Sequence, residues 1–352
     1  LSNPLQLILF MISHAHTLII LLWIQTQLPQ LSSNELLSSS IQKIMKVLSC
    51  KDVYQFDNNN FGTTCFLFAI IAAYFFALAL MFLFSLLCSV VKSFSFKKIV
   101  CFVVLIGQAQ IGLGFWLINS FLMQYIAIEN IDEEEGLSGR NGLLVVAFVL
   151  MILNYLVTFF FGIFSFDPFR SSNILSSHTY GAQIITVLFK AVAAPVMFMS
   201  TDYSFRNWFL VIISIIILLG KYYFLIDRFP YYKYHTMKLS IIFATVNLLI
   251  ALVNLIVQLI EIDKNISLTS VLYSEAVLAT LTMKGALTYF HRSVLTFIAM
   301  KKENIKTPTD VMKKLFALSF LFRHTKFTFH EDERYSFNML RLSGLLSVEI
   351  EE

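Results

Sequence analysis

Long apolar segments without charged side chains recur along the chain of 352 residues. Residues 58–91, 99–128 and 141–166 contain no Asp, Glu, Lys or Arg at all. A helix needs about 20 mostly apolar residues to cross a bilayer, and unbroken apolar runs are typical of helices rather than of barrel strands. The pattern predicts eight transmembrane helices, over residues 5–26, 64–90, 99–127, 142–165, 181–200, 206–226, 239–260 and 271–298.

The composition agrees with a protein that lives in a membrane. Hydrophobic residues make up 57% of the chain and charged residues only 14%, against about 25% charged residues in ordinary soluble domains. This balance excludes a soluble enzyme, a nucleic-acid-binding domain and a disordered protein. The predicted fold class is therefore an all-α polytopic membrane helix bundle. Because the chain begins with Leu1 rather than with methionine, we expect the translated protein to be longer.

Basic residues indicate the orientation of the bundle, because Lys and Arg concentrate in cytoplasmic loops. They cluster in three segments that an eight-span topology places on one side: after span two, after span six and after span eight. Both termini are therefore expected to be cytoplasmic, in the plasma or ciliary membrane, with an organellar membrane as the alternative. The basic residues of these segments are Lys92, Lys97, Lys98, Arg228, Lys233, Lys238, Lys301, Lys302, Lys306, Lys313 and Lys314.

Two features fall on the predicted outer side. Asn265 begins an Asn-Ile-Ser sequon for N-glycosylation. Cys50 and Cys65 flank the end of the first loop, and an oxidising outer compartment would let them form a disulfide.

The clearest charge inside a predicted span is Lys190, in the middle of span five. A charge in the bilayer core costs about 2.5–3.5 kcal/mol by insertion scales and marks a functional hypothesis. Pro195 follows five residues later, leaves the carbonyl of Ala191 without its helical donor and is expected to kink the span. This combination suggests a polar cavity. The alternative is that Lys190 only snorkels to the interface or pairs with another helix.

Span eight is the most polar span, because Glu275, Lys284, His291 and Arg292 interrupt it. A helix this polar is expected to lie inside the bundle or to line water. Inside the spans, Lys190 and Lys284 then outnumber the single acid, Glu275. This excess of positive charge predicts a cavity between spans five and eight that accepts an anionic group such as a lipid headgroup. The alternative is a buried pair of Glu275 with Lys284 or with Lys190 that fixes helix packing.

Seven further polar residues inside the spans are interpreted as packing contacts rather than as a site. His14 and His16 are two residues apart and face different sides of a helix, so they make a poor metal or haem pair. We expect no metal and no cofactor. The seven residues are His14, His16, Gln108, Gln110, Asn154, Asn247 and Asn254.

No catalytic pattern occurs in the sequence. It contains no Gly-rich phosphate loop, no paired Cys motif and no HExxH. We therefore expect that the protein is not an enzyme.

The tail after span eight begins with a helix-start pattern, in which Thr307 is the cap, Pro308 is the first helical residue and Asp310 lies at the third position. Residues 301–326 carry seven Lys or Arg against two acids. A basic amphipathic helix after a span is expected on the anionic inner leaflet. We predict two domains, a transmembrane bundle over 1–300 and a cytoplasmic amphipathic helix with an acidic tail over 301–352.

Two aromatic stretches carry a family resemblance: Phe164-Ser165-Phe166-Asp167-Pro168 and Phe229-Pro230-Tyr231-Tyr232-Lys233-Tyr234. Residues 140–350, with these stretches, resemble the membrane region of the tiny macrocysts-like polytopic proteins of ciliates and amoebae. The resemblance implies a membrane region that precedes PAS-type sensory domains, and it transfers no functional residue to this chain.

Three functions remain open. The first is a non-enzymatic membrane module of a larger signalling or assembly protein, as an anchor, sensor or complex subunit. The second is a transporter or channel subunit with a polar cavity near Lys190 and span eight, although no internal repeat supports it. The third is an accessory subunit of a large membrane complex, for which an organelle is one of the open locations. The expected partners are membrane lipids, with anionic headgroups at the tail helix, and other proteins or further copies; no nucleic acid is expected.

Overall fold

The fold is described from a computed structural model, which defines residues 3–28, 31–32, 39–40, 43–44, 61–91, 105–129, 138–164, 181–199, 203–231, 234–259, 266–299, 307, 310–311 and 313–314. Eight long α-helices account for nearly all of this described part. They are α1 (Asn3–Thr26), α2 (Phe61–Val91), α3 (Phe115–Glu129), α4 (Ser138–Phe164), α5 (Gly181–Met199), α6 (Tyr203–Arg228), α7 (Tyr234–Leu259) and α8 (Leu268–Ala299). Two-residue strands, β1 (Leu31–Ser32) and β2 (Ile266–Ser267), complete it.

The helices confirm the predicted fold class, an all-α polytopic membrane bundle. Within the described residues, seven helical segments are long and apolar enough to cross a membrane by length and composition: six lie in α1, α2 and α4 to α7, and the seventh, Leu105–Ile126, includes most of α3 and the residues before it. Helix α8 has 32 residues, which is more than a span requires. Its polar side chains lower its hydropathy, so it is not one of these seven apolar segments. Seven of the eight predicted spans each coincide with one helix, and span three covers most of α3 together with the helical residues 105–114.

Helix α3 has an irregular start. Residues 105–109 are α-helical, Gln110–Gly114 form a π-helical segment, and α3 then continues from Phe115. A π-helical segment shifts the hydrogen bonding from i→i−4 to i→i−5, so that backbone carbonyls lose their regular partners locally, and such segments are frequent at functional sites. The sequence pattern predicted a regular helix here.

The bundle has central and peripheral helices. The spans in α3 and α5 are the most buried, whereas those in α2 and α4 expose most of their surface. Helix α1 packs against α7, α6 and the π-helical segment, while α2 makes its main contact with α4. The inner helices are therefore the ones on which a buried site can be built.

Apolar side chains from five helices form the central cluster. Because lipid tails are as apolar as leucine, close packing and polar contacts hold membrane helices together, rather than the hydrophobic effect. The few polar groups inside this bundle therefore carry more weight than in a soluble core. Buried members of the cluster include Ile20, Leu21, Ile24, Trp116, Met123, Phe189, Ala193, Leu210, Leu218 and Ile250.

The two short strands establish which ends of the helices meet. Leu31 pairs with Ile266 and Ser32 with Ser267, in parallel. β1 follows α1 and β2 precedes α8 directly. The end of α1 and the start of α8 therefore lie at the same end of the bundle, as an eight-span topology requires.

The chain divides into two compact units, Leu1–Ser293 and Val294–Glu352. In the second unit Thr307 caps a helix start: its hydroxyl accepts from the Asp310 amide at 3.2 Å, and Asp310 Oδ2 accepts from the Thr307 amide at 3.1 Å. This reciprocal capping box confirms the predicted helix start. The apolar residues of the predicted amphipathic helix lie outside the described residues.

Candidate functional site

Lys190 lies at the middle of α5 and is completely buried. Its Nζ donates to the carbonyl oxygens of Ile111 at 3.0 Å and Gly112 at 2.5 Å, and it lies 3.4 Å from Ser13 Oγ. An ammonium group has three donors, and three acceptors surround this one. The side chain does not snorkel; it joins α5 to α1 and to the π-helical segment.

The two carbonyls that accept from Lys190 belong to the π-helical segment. Ile111 and Gly112 lie inside Gln110–Gly114, where the regular helical ladder is interrupted. Such carbonyls need another donor when they are buried away from water. Lys190 donates to both carbonyls, so the buried cation and the irregular backbone lie in direct contact.

A second buried lysine, Lys221 of α6, lies in the same region. Its Nζ donates to Thr186 Oγ1 at 2.8 Å and lies 3.4 Å from His14 Nε2. Thr186 lies one turn before Lys190 on α5, and its hydroxyl donates to the Ala182 carbonyl at 3.0 Å. Lys221 therefore connects α6 to α5 and α1.

The hydrogen bonds of His14 define its tautomer. His14 Nδ1 is 2.9 Å from the carbonyl oxygen of Phe10, and a carbonyl only accepts, so Nδ1 carries the hydrogen. Nε2 then has a free lone pair, which accepts from Lys221 Nζ. The imidazole is neutral in this arrangement, and its ring packs 5.1 Å from that of Phe243 on α7.

The site therefore holds two lysines and a neutral histidine. Within the described part of the chain, their hydrogen-bond partners are hydroxyl, carbonyl and imidazole groups rather than carboxylates. A buried cation is tolerated only when polar partners replace its hydration. Here the replacement comes from neutral groups on α1, α5 and the π-helical segment, which is an arrangement that locks helices together.

Among the described residues, Lys190 and Lys284 do not share the expected cavity. Lys284 is exposed on α8, whereas Lys190 is enclosed by its contacts with α1 and the π-helical segment. Helix α8 buries one stripe and exposes most of its remaining surface, so the expectation that it lies inside the bundle is wrong. The buried stripe, whose members share one face of the helix at spacings of 3, 4 or 11 residues, consists of Leu268, Val271, Glu275, Ala286 and Phe290.

The expected ion pairs of Glu275 do not form either. Gln25 Nε2 of α1 donates to Glu275 Oε1 at 2.7 Å, and both side chains are buried. Within the described residues, Lys190 bonds elsewhere and Lys284 faces outward. An amide near the end of α1 reaches this carboxylate because β1 and β2 hold the adjoining chain ends together.

The carbonyl that Pro195 frees has a partner. Tyr155 of α4 donates its hydroxyl to the Ala191 oxygen at 2.9 Å. The sequence predicted the free carbonyl correctly, but another helix satisfies it, so it does not line a polar cavity. Pro195 lies within a helix that continues to Met199.

A separate amide network joins α2, α3 and α4. Gln110 Nε2 donates to Asn154 Oδ1 at 2.7 Å and to Thr158 Oγ1 at 3.0 Å, while its Oε1 accepts from Tyr74 at 2.7 Å. Asn154 Nδ2 donates to Asn119 Oδ1 at 2.9 Å. Every side-chain polar atom of Gln110 is therefore bonded, which is what a packing contact requires.

Other polar side chains have varied surroundings. Asn254 donates to the Leu21 carbonyl at 3.1 Å, Asn247 and Gln108 are buried, and His16 packs edge-on against Trp116 at 5.1 Å. His14 and His16 thus face different helices. Groups of three or more His, Cys, Asp or Glu that could hold a metal do not occur among the described residues.

Three remaining predictions concern the outer side and the end of α8. Cys65 is a free thiol in the first turns of α2, and Cys50, its partner in the predicted disulfide, lies outside the described residues. Asn265 of the sequon also lies outside them, although Ser267 is exposed. His291 is half-buried, with its ring 6.0 Å from that of Phe290.

No protein-family model matches the chain, and neither the curated proteins nor the solved structures provide a match. The fold and the site therefore rest on the chain's own geometry.

The aromatic stretch after α6 is a buried turn. Phe229 has a positive φ of 46°, which costs a non-glycine residue about 1–2 kcal/mol. It is 1% exposed and packs edge-on against Phe290 of α8 at 5.5 Å, while Tyr231 packs against Phe10 of α1 at 6.0 Å. Ring packing on two helices holds this strained turn in place.

Lys221 is a member of this buried site that the sequence did not single out. It lies within the predicted span 206–226, where a charge marks a functional hypothesis just as it does at Lys190. Its partner Thr186 and the carbonyls of the π-helical segment carry no comparable pattern. Only the packing of α1, α3, α5 and α6 identifies them.

Proposed function

We propose that this chain is the non-enzymatic membrane module of a larger signalling or assembly protein, and that it acts as an anchor, sensor or complex subunit. One observation carries the proposal: Lys190, the charge at the centre of the bundle, is fully buried and uses its donors on protein oxygens. A conducting path needs water at its charged groups. A lysine enclosed in this way holds helices together.

The proposal includes an orientation and a location. Both termini face the cytoplasm, in the plasma or ciliary membrane, because basic residues cluster in the loops on that side. The pairing of β1 with β2 supports the even number of crossings that this orientation needs. The resemblance of the Phe229–Tyr231 stretch to tiny macrocysts-like proteins supports a module that precedes sensory domains.

A second candidate is a transporter or channel subunit. It is favoured by the chain of hydrogen bonds from Thr186 through Lys221 to His14, because linked titratable groups between helices are typical of proton paths. The π-helical segment beside Lys190 points in the same direction.

Flux measurements on the purified protein in sealed vesicles separate the two candidates. Proton, potassium and chloride fluxes are followed with a pH-sensitive dye and a potential-sensitive dye, against vesicles without protein. The membrane module predicts fluxes equal to those of empty vesicles. A flux that Lys221→Met or His14→Leu abolishes, while Leu278→Ala on exposed α8 leaves it intact, would establish the second candidate instead.

A further inference from the structure

Helix α8 carries a polar stripe on its exposed face. Thr280, Lys284 and Thr288 are each four residues apart, so they lie on one side of the helix, and all three are exposed. The threonine hydroxyls donate to carbonyls of α8 itself, at 2.9 Å for Thr280 and 2.8 Å for Thr288. Their oxygen lone pairs, and the whole ammonium group of Lys284, face outward.

Two contacts define how deep this stripe lies. Glu275 bonds to Gln25, next to the end of the span Leu7–Thr26 in α1. Phe290 packs against Phe229, which directly follows the span Ser204–Arg228 in α6. These contacts place Glu275 near one membrane boundary and Phe290 near the other.

In the eight-span topology that the sequence predicts, these two levels place Lys284 within the hydrocarbon. With a rise of about 1.5 Å per residue, it is about 14 Å from the level of Glu275 and about 9 Å from that of Phe290. Helical side chains lean towards the N-terminus, which directs Lys284 towards the more distant boundary. A charge at this depth is costly, and the ammonium group of Lys284 has no hydrogen-bond or ion-pair partner among the described residues.

We infer that the Thr280–Lys284–Thr288 stripe is the docking surface for a transmembrane helix of another protein that carries an Asp or Glu at mid-depth. A carboxylate opposite Lys284 supplies the missing countercharge, and the threonine oxygens offer acceptors to the same helix. The inference rests on the proposed function, in which this chain is one part of a larger assembly, and it names the chemistry of the partner.

Charge argues against the other occupants. A two-fold contact with a second copy through this stripe would place Lys284 against its own symmetry mate, and like charges repel strongly in hydrocarbon. A lipid headgroup stays at the interface, beyond the depth of Lys284. A wholly apolar helix would leave the ammonium group buried and unpaired.

The test uses the purified full chain in phosphatidylcholine vesicles and designed leucine-alanine transmembrane peptides that differ only in the central residue. Energy transfer from labelled protein to labelled peptide reports their association. The Asp peptide is expected to associate about tenfold more strongly than the Leu peptide. Lys284→Leu removes this preference, Lys284→Arg keeps it, and Lys284→Asp transfers it to a Lys peptide.

Leu278→Ala is the matched control, because it changes an exposed residue of the same helix about 120° away from Lys284, and it should bind like the unchanged protein. Equal association of the Asp and Leu peptides with the unchanged protein overturns the inference without any variant. So does self-association that excludes the peptide, or a preference that requires anionic lipid. The flux measurement does not depend on these peptides, so failure of the membrane-module proposal is recognised separately.

Discussion

The hydroxyl of Tyr155 donates to the carbonyl oxygen of Ala191, four residues before Pro195 in α5, at 2.9 Å. Proline has no amide hydrogen, so this carbonyl has no donor within its own helix. A side chain from α4 replaces the missing hydrogen bond. The proline is therefore accommodated by a neighbouring helix, which ties α4 to α5 at the level of the buried lysine.

Tyr155→Phe removes only that hydroxyl and is expected to lower the free energy of unfolding by about 1 kcal/mol. In a Pro195→Ala background the alanine supplies a backbone amide that bonds to the Ala191 carbonyl, and Tyr155→Phe should then have little effect. Unfolding by dodecyl sulfate in mixed micelles, followed by tryptophan fluorescence, measures all four proteins. Equal losses in both backgrounds would contradict the role assigned to Tyr155.

Lys190→Met is expected to destabilise the bundle by about 1–3 kcal/mol, because it removes the hydrogen bonds that Lys190 Nζ donates to the carbonyls of Ile111 and Gly112. The same substitution at Lys284 is the control, since that lysine is exposed. Lys284→Met should leave the unfolding midpoint of the isolated protein unchanged or raise it. If both variants unfold alike, Lys190 does not join the helices.

His14 and Lys221 are expected to be energetically coupled, because the imidazole accepts from the ammonium group. His14→Leu, Lys221→Met and the double variant form a cycle whose coupling energy should be about 1 kcal/mol. Unfolding in mixed micelles provides the values. The pair His16 and Lys221 serves as the comparison, since His16 packs on Trp116 instead, and additive effects are expected there.

Tyr231, in the turn between α6 and α7, should make stability depend on alkaline pH. Burial raises the pKa of its phenol from 10.0 to about 12, so between these values the folded state holds a proton that the unfolded state has lost. Its contribution is complete below pH 10 and is lost as the pH rises through 12. The difference in tyrosinate absorbance between the unchanged protein and Tyr231→Phe reports the titration. A Tyr231 that ionises near its ordinary pKa in the folded protein contradicts its burial.

Part of this fold and site follows from local sequence. Runs of apolar residues predicted all eight helices, and Thr307 and Asp310 predicted a helix start that the capping box confirms. Lys190 was identified as the central charge, and Pro195 as the cause of a free carbonyl. These inferences succeed because span length, capping and proline geometry depend only on neighbours along the chain.

The partners of those residues follow from packing alone. The sequence predicted a cavity shared by Lys190 and span eight, or an ion pair of Glu275 with Lys190 or Lys284. In the fold, Lys190 donates to carbonyls of the π-helical segment, and Glu275 accepts from Gln25. Hydropathy is averaged over all faces of a helix and does not indicate which face is buried. It therefore does not reveal that α8 buries one narrow stripe and exposes Lys284. The sequence by itself determined a helical membrane bundle and its scarce charges. Tertiary structure decided which charges are enclosed and which face outward, because that depends on the rotation and neighbours of each helix.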